Sequence, residues 1–302
     1  MSSSDVDKIK ERLNIVDVVS SYIKLEKAGG NFRARCPFHS EKTPSFFVSP
    51  VRGSYHCFGC SQGGDIFTFV EEMEGVDFRG ALKILADKAG VILADYNSEN
   101  KADNDRLYLV LEEATLFFQR NLVKNTKALS YLYKRGLTSD TLKTFRIGFA
   151  DDSWQELYNY LLKKSYSNSE MERSGLTIKT EKGVHDRFRS RIMFPISDSA
   201  GRVVAFSGRI FGKENDKVGK YVNSPETELF NKSRILYGYD KAKQAIRENR
   251  TVILVEGQVD LIMAHQSGYK NSVAVSGTAF SKHHIGMLEH LADKITIAFD
   301  AD

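Results

Sequence analysis

Cysteine is scarce in this chain of 302 residues: Cys36, Cys57 and Cys60 are the full set. An odd number, clustered in one segment, argues against a disulfide scaffold and makes metal binding the first alternative. Proline is sparse as well, at 5 residues beside 22 glycines, which excludes collagen-like and low-complexity chains. No uninterrupted apolar run approaches the roughly 20 residues that span a bilayer. The opening MSSSDVDKIKERLN lacks the apolar stretch of a secretory signal. The expectation is a soluble, cytoplasmic protein without a membrane partner. Nor is there an excess of one charge: 43 basic against 39 acidic residues leave +4, too little to identify a polyanionic partner by itself.

What is present is ample core material, 41% hydrophobic and 11% aromatic residues. The length suits two or three domains. Two short helices are expected near 5–13 and 15–22, with Asn14 as N-cap of the second. Residues 32–58 switch to short β-prone runs, 45–48 and 54–57, divided by Pro and Gly. A helix follows Asp77, where Phe78, Ala81, Leu82, Leu85, Ala86 and Ala89 share one face. The polar stretch DYNSENKADND (95–105) reads as a linker. Residues 106–175 read as mainly helical and 185–223 as strand-rich. The last fifty residues alternate: TVILVEG, a helix over 259–267, SVAVSG, a helix over 282–291, then KITIAFDAD. Near-continuous apolar strands separated by helices indicate a parallel sheet covered on both faces, with ligand sites at the carboxyl ends of its strands.

Cys36-Pro-Phe-His39 and Cys57-Phe-Gly-Cys60 are two x2-spaced pairs separated by 17 residues. Each pair can chelate from one turn, and the longer segment can return as a hairpin. Three thiolates and an imidazole complete tetrahedral zinc with no open position, which makes the site structural. His56 is the alternative imidazole, but it adjoins Cys57 and breaks the paired spacing. Arg33, Arg35, Lys42 and Arg52 are interleaved with Phe32, Phe38, Phe46, Phe47, Tyr55 and Phe58. Charge for phosphates and rings for bases compose a single-strand-binding surface, although some rings must form the small core. Between Arg187 and Arg234 lie ten basic residues against five acidic ones, an enrichment that attracts phosphates.

Glu256 follows VILV and Asp260 lies one helical turn on; Asp300 and Asp302 follow ITIAF and can face one side of an extended segment. Carboxylates gathered at strand ends repel one another unless a hard cation such as Mg²⁺ neutralises them. Alternatively, such acids serve as helix N-caps or solvated loop residues.

CPFHSEKTPSF…YHCFGC (36–60) resembles the zinc domain of bacterial DNA primases of the DnaG type. RFRSRIMFPISDSAGRVVAFSGR (187–209), KYVNSPET (220–227) and LYGYDKA (236–242) resemble that family's polymerase core. VEGQVD (255–260), SGTA (276–279) and FDAD (299–302) resemble the opening of its Toprim fold. The resemblance implies an α+β and α/β architecture. A zinc ribbon domain (1–95) and a linker (96–105) precede a mixed α+β subdomain with a basic cleft (106–250). A parallel-sheet Toprim subdomain, cut at its third strand, occupies 251–302.

It implies further that RNA primers are made on single-stranded DNA from ribonucleoside triphosphates, at the replication fork in the cytoplasm. A replicative helicase would engage a C-terminal domain absent from this sequence. Carried over by motif, Glu256, Asp260, Asp300 and Asp302 would be catalytic, with Glu256, Asp300 and Asp302 holding Mg²⁺ or Mn²⁺. Cys36, His39, Cys57 and Cys60 would hold one structural Zn²⁺. Arg146, Arg191, Arg209, Lys220 and Lys232 would contact nucleotide or template, with Lys143 a looser candidate. Two rivals are another Toprim enzyme that cuts or joins DNA, and a zinc-ribbon module that binds single strands without chemistry.

Overall fold

The computed structural model describes residues 3–39, 41–74, 76, 78–93, 98–181, 183–212, 219–275, 280–289 and 291–300. The chain divides into two compact units: residues 1–101, 243–252 and 285–295 form the first, and 102–242, 253–284 and 296–302 the second.

The first unit begins with α1 (Ser3–Arg12) and α2 (Ile15–Ser20). Asn14 is the N-cap of α2, its side-chain oxygen accepting the Asp17 N–H at 2.9 Å. An antiparallel meander follows: β1 (Glu26–Ala28), β2 (Asn31–Ala34), β3 (Phe46–Ser49), β4 (Ser54–Cys57) and β5 (Gly63–Gly64). Alternation sends Ala34, Phe46, Val48, Tyr55 and Cys57 inward. There they join the buried faces of α2, α3 (Ile66–Glu74) and α4 (Phe78–Ala89) in one core. Phe38, Phe46, Tyr55 and Phe69 form its aromatic centre, with ring centroids 5.1–6.1 Å apart.

A distant segment completes this unit. Arg247 is buried and donates to the carbonyls of Glu72 and Met73 at 2.7 and 2.5 Å, satisfying the last turn of α3. Lys243 pairs with Glu74 beside it.

The second unit opens inside α5 (Ser98–Lys124). The polar stretch expected as a linker is thus helical from Ser98 onward, while residues 94–97 lie outside the described part. The reason lies downstream: Leu107, Val110, Leu111, Ala114, Phe117 and Phe118 bury one face of α5. Extending an anchored helix through Asn, Lys, Ala and Asp avoids the cost of a new nucleus.

After α6 (Thr126–Lys134) and α7 (Ser139–Thr144) comes β6 (Gly148–Ala150). Then follow α8 (Glu156–Lys163), α9 (Asn168–Arg173) and a hairpin of β7 (Thr177–Thr180) and β8 (Gly183–Asp186). β9 (Arg191–Ser197), β10 (Val203–Ile210) and β11 (Tyr221–Asn223) complete an antiparallel sheet of order β11-β10-β9-β6. Arg191 through Ile196 are all buried, as befits a central strand covered on both faces.

The C-terminal part runs α10 (Tyr239–Asn249), β12 (Thr251–Val255), α11 (Gln258–Gln266), β13 (Ser272–Ala274), α12 (Lys282–Glu289) and β14 (Lys294–Ala298). The sheet order is β13-β12-β14, with β12 and β13 parallel. This is the alternation expected from the sequence, with one difference. All five residues of β14 are exposed, because it is an edge strand with no described element covering its faces.

Candidate metal centre and nucleic-acid interface

The ends of β2 and β4 bring the two ligand pairs together. The ligand atoms of Cys36, His39, Cys57 and Cys60 all lie within 4.8 Å of one another. A tetrahedral ion with Zn–S bonds of about 2.3 Å requires S···S edges of about 3.8 Å. Cys36 Sγ and Cys60 Sγ are 3.9 Å apart, and Cys57 Sγ lies 3.8 Å from His39 Nδ1. Donor set and spacing therefore fit a structural zinc ion. His56 is exposed and is not in the quartet, so the paired spacing selects His39.

Backbone donors face two of the sulfurs. Phe38 N–H points at Cys36 Sγ (3.4 Å) and Gly59 N–H at Cys57 Sγ (3.3 Å). Burial outweighs the Phe38 N–H and pushes the Cys36 thiol upward. Gly59 is required by close approach: a Cβ there would stand 2.6 Å from His39 Nε2 and 2.9 Å from Ser45 Oγ. Burial would raise the Glu41 carboxyl, but hydrogen bonds from Ser45 and from the Cys36 and Ser45 N–H groups outweigh it and hold it below its ordinary value.

Half of the ribbon's candidate rings are core. Phe38, Phe46 and Tyr55 are buried, whereas Phe58 is 72% exposed. Across the outer face of the sheet, Arg33, Phe47, His56 and Gly63 are in register. Phe58 packs edge-on against both Phe47 (5.5 Å) and His56 (4.8 Å). Arg33, Arg35, Lys42 and Arg52 are exposed.

In the second unit, Glu256 stands exposed where β12 ends. Asp260 caps the start of α11, one carboxylate oxygen accepting the Gly257 N–H at 3.1 Å. Asp300 follows β14, and Asp302 and Ser276–Ala279 lie outside the described residues. Among the described residues, the cysteine–histidine quartet is the one metal-ligating group brought together.

The basic candidates separate by environment. Arg209 pairs with Tyr221 across β10 and β11, its Nη1 3.4 Å from the phenolic oxygen. Burial chiefly raises the Tyr221 hydroxyl, and the Asp260 carboxylate adds to the rise. Arg209 also lines one small pocket with Arg135 and Val259, the residue before Asp260. Arg209, Tyr221 and Asp260 thus converge. Lys143 and Lys220 are exposed, and Lys232 is half-buried in a 3-10 turn. Lys213 and Lys217, from the same basic window, fall outside the described residues.

Two expected contact residues are otherwise engaged. Arg146 makes a two-pronged ion pair with Glu112, at 2.9 and 2.5 Å. Arg191 is buried, and its guanidinium donates to the carbonyls of Gly208, Gly219 and Lys220 at 2.9, 3.1 and 3.3 Å. Three of its five N–H donors are thus spent on backbone carbonyls.

Sequence reasoning passed over Trp154, the only tryptophan, which is 61% exposed. Arg189 lies over its ring at 3.8 Å, and His185 packs edge-on at 5.3 Å. A cleft of about 550 Å³ opens beside Trp154, Gln155 and His185. The available signal was a lone Trp in a DDSW turn, followed later by the RFRSR run.

Known families match in the same order. Residues 1–101 match the CHC2 zinc finger, 117–243 the N-terminal domain of the DNA primase catalytic core, and 250–302 the Toprim domain. The DNA primase of Clostridium acetobutylicum is 41% identical over 98% of this chain and 50% of its own length. The chain spans about half the length of the curated relatives it matches. The zinc-binding and RNA polymerase domains of Aquifex aeolicus primase superpose over 100% of this chain and 73% of that one, at 36% identity and a TM-score of 0.62. A DnaG primase catalytic domain bound to single-stranded DNA matches over 67% of this chain and 65% of its own, at 34% identity and a TM-score of 0.61. With ribbon, core and parallel sheet all matched in sequence order, the chain belongs to the DnaG-type bacterial primase family.

Proposed function

We propose that this chain carries the zinc-binding and polymerase parts of a cytoplasmic primase, making short RNA primers on single-stranded DNA from ribonucleoside triphosphates. The observation that carries the reading is Glu256, exposed at a strand's carboxyl end beside a helix whose first turn holds Asp260. The Arg209–Tyr221 pair lies close to that turn.

Glu256, Asp300 and Asp302 would hold the divalent cation, since carboxylate oxygens suit a hard ion. Bound there, Mg²⁺ or Mn²⁺ would neutralise triphosphate charge and favour attack of the 3′-hydroxyl on the α-phosphate of the next triphosphate, whose α–β anhydride bond breaks to release pyrophosphate. Arg209, Lys220 and Lys232 would hold phosphates of triphosphate or template. The rate would come from positioning and charge neutralisation, because phosphoryl transfer asks little covalent work of the protein. On the ribbon, Phe58, Phe47 and His56 would stack template bases while Arg33, Arg35, Lys42 and Arg52 track the backbone. Binding of a replicative helicase belongs to the same reading.

The test is incorporation of labelled ribonucleotides on single-stranded DNA by the full gene product, with Glu256→Gln beside it. Glu256→Gln should lose synthesis by at least about a hundredfold while DNA affinity stays within about twofold, because only transition-state charge is affected. A variant that keeps the wild-type rate rejects Glu256 as a metal ligand. DNA binding without incorporation by the wild type supports the non-catalytic reading instead.

A further inference from the structure

Glu41 lies in the loop between β2 and β3, two residues after the ligand His39. Its side chain is only 10% exposed. One carboxylate oxygen accepts the N–H of Cys36 at 2.6 Å and that of Ser45 at 3.1 Å. The other accepts the Ser45 hydroxyl and stands 3.5 Å from His39 Nε2. Ser45 Oγ in turn lies 3.2 Å from Cys57 Sγ. One carboxylate therefore reaches the backbone of one ligand residue, the ring of a second and, through a hydroxyl, the sulfur of a third.

Electrostatics alone would not put it there. Zinc with three thiolates and an imidazole carries a net charge of −1, and a second anion at this distance is repelled. The contacts explain its presence. An imidazole that coordinates through one nitrogen needs its proton on the other, and a carboxylate facing that nitrogen favours this tautomer. His39 turns Nδ1 toward Cys57 and Nε2 toward Glu41. The close approach of Gly59 to Nε2 and Cε1 leaves the ring little room to turn.

We propose that Glu41 is the positioning residue of the zinc centre, holding His39 as the Nε2–H tautomer with Nδ1 on the metal and tying loop 36–45 to the ligands. This goes beyond any role in priming and depends only on the metal being bound.

Glu41→Gln separates this role from a purely electrostatic one, because the two predict opposite signs. Removing a negative charge near an anionic centre should tighten zinc or leave it unchanged. Glutamine, however, has a single oxygen. With that oxygen on the Cys36 and Ser45 N–H groups, its amide NH₂ faces His39 Nε2 and favours the tautomer unable to coordinate through Nδ1.

Zinc affinity would be measured on the 302-residue chain by competition with a chromophoric chelator. Nitrogen-15 shifts of the His39 ring would be recorded in the zinc-loaded protein. The expected result is affinity weaker by about 10–100-fold in Glu41→Gln, with wild-type His39 protonated at Nε2 and bound through Nδ1. Unchanged or tighter zinc in Glu41→Gln would overturn the proposal. Should that variant fail to fold, the wild-type spectrum still decides: coordination through Nε2 refutes the assignment and coordination through Nδ1 supports it.

Discussion

The side chain of Arg191 occupies the space a Cβ on Gly208 would need. Arg191 Cδ is 2.8 Å from that position, and Nη1 donates to the Gly208 carbonyl at 2.9 Å. Glycine at 208 therefore admits an arginine into the sheet, and the arginine ties Gly219 and Lys220 to β10. Lys220, the residue ahead of β11, is thereby held by a buried guanidinium.

Arg191→Ala removes a donor from three carbonyls, of which that of Lys220 keeps the Ile210 N–H, and leaves a gap in the sheet. A loss of about 2–4 kcal/mol in unfolding free energy is expected by denaturant titration. Arg191→Lys should recover only part of it, because an ammonium cannot reach all three acceptors with planar geometry. If Arg191 instead contacted nucleic acid directly, Arg191→Ala would weaken DNA binding and leave stability near wild type.

The outer face of the ribbon offers two separable contributions. Phe58→Ala should cost about 1–3 kcal/mol of single-strand affinity with the salt dependence unchanged, as expected for a lost stacking partner. Arg33→Ala should weaken binding at low salt and reduce the slope of log K against log salt by about 0.7. Fluorescence anisotropy with a labelled oligonucleotide at several salt concentrations checks both. A Phe58→Ala variant with wild-type affinity would remove this face from the interface.

Asp186 gives a pH signature. Burial raises its carboxyl to about 6 against the hydrogen bonds donated by Leu157 and Tyr158 N–H, from an ordinary value of 3.8. The folded state then binds more protons than the unfolded one between those values. This group's contribution consequently falls as pH rises from about 4 to about 6, by at most about 3 kcal/mol. In Asp186→Asn that component should vanish from a stability profile taken across the interval, whereas an unaltered profile would show Asp186 to be ionised at its ordinary pH.

The zinc quartet was legible because coordination imposes spacing on the sequence itself. The alternating strands and helices after Thr251 were legible from period and β-branching. The span 98–105 was not, because an anchored helix tolerates a polar extension that carries no periodic signal. Nor was the division among the arginines. Arg191 and Arg209 look alike in RFRSRIMF and AFSGR, yet the first spends its donors on carbonyls and the second lies beside Tyr221. Only packing separates a buried cation from one at a cleft. Glu41 stood in plain view inside HSEKTPSF, but its work depends on the loop folding Ser45 back onto it and on Cys57 arriving at the end of β4.

The contact between Arg247 and the carbonyls of Glu72 and Met73 also sets an order of events during synthesis. The last turn of α3 obtains its buried donor from a residue 174 positions later. At roughly 5–20 residues per second, the ribosome delivers that residue about 9–35 s after Met73. Until then the end of α3 must rely on water, and the ribbon's helices wait on the nascent chain for the residue that finishes them.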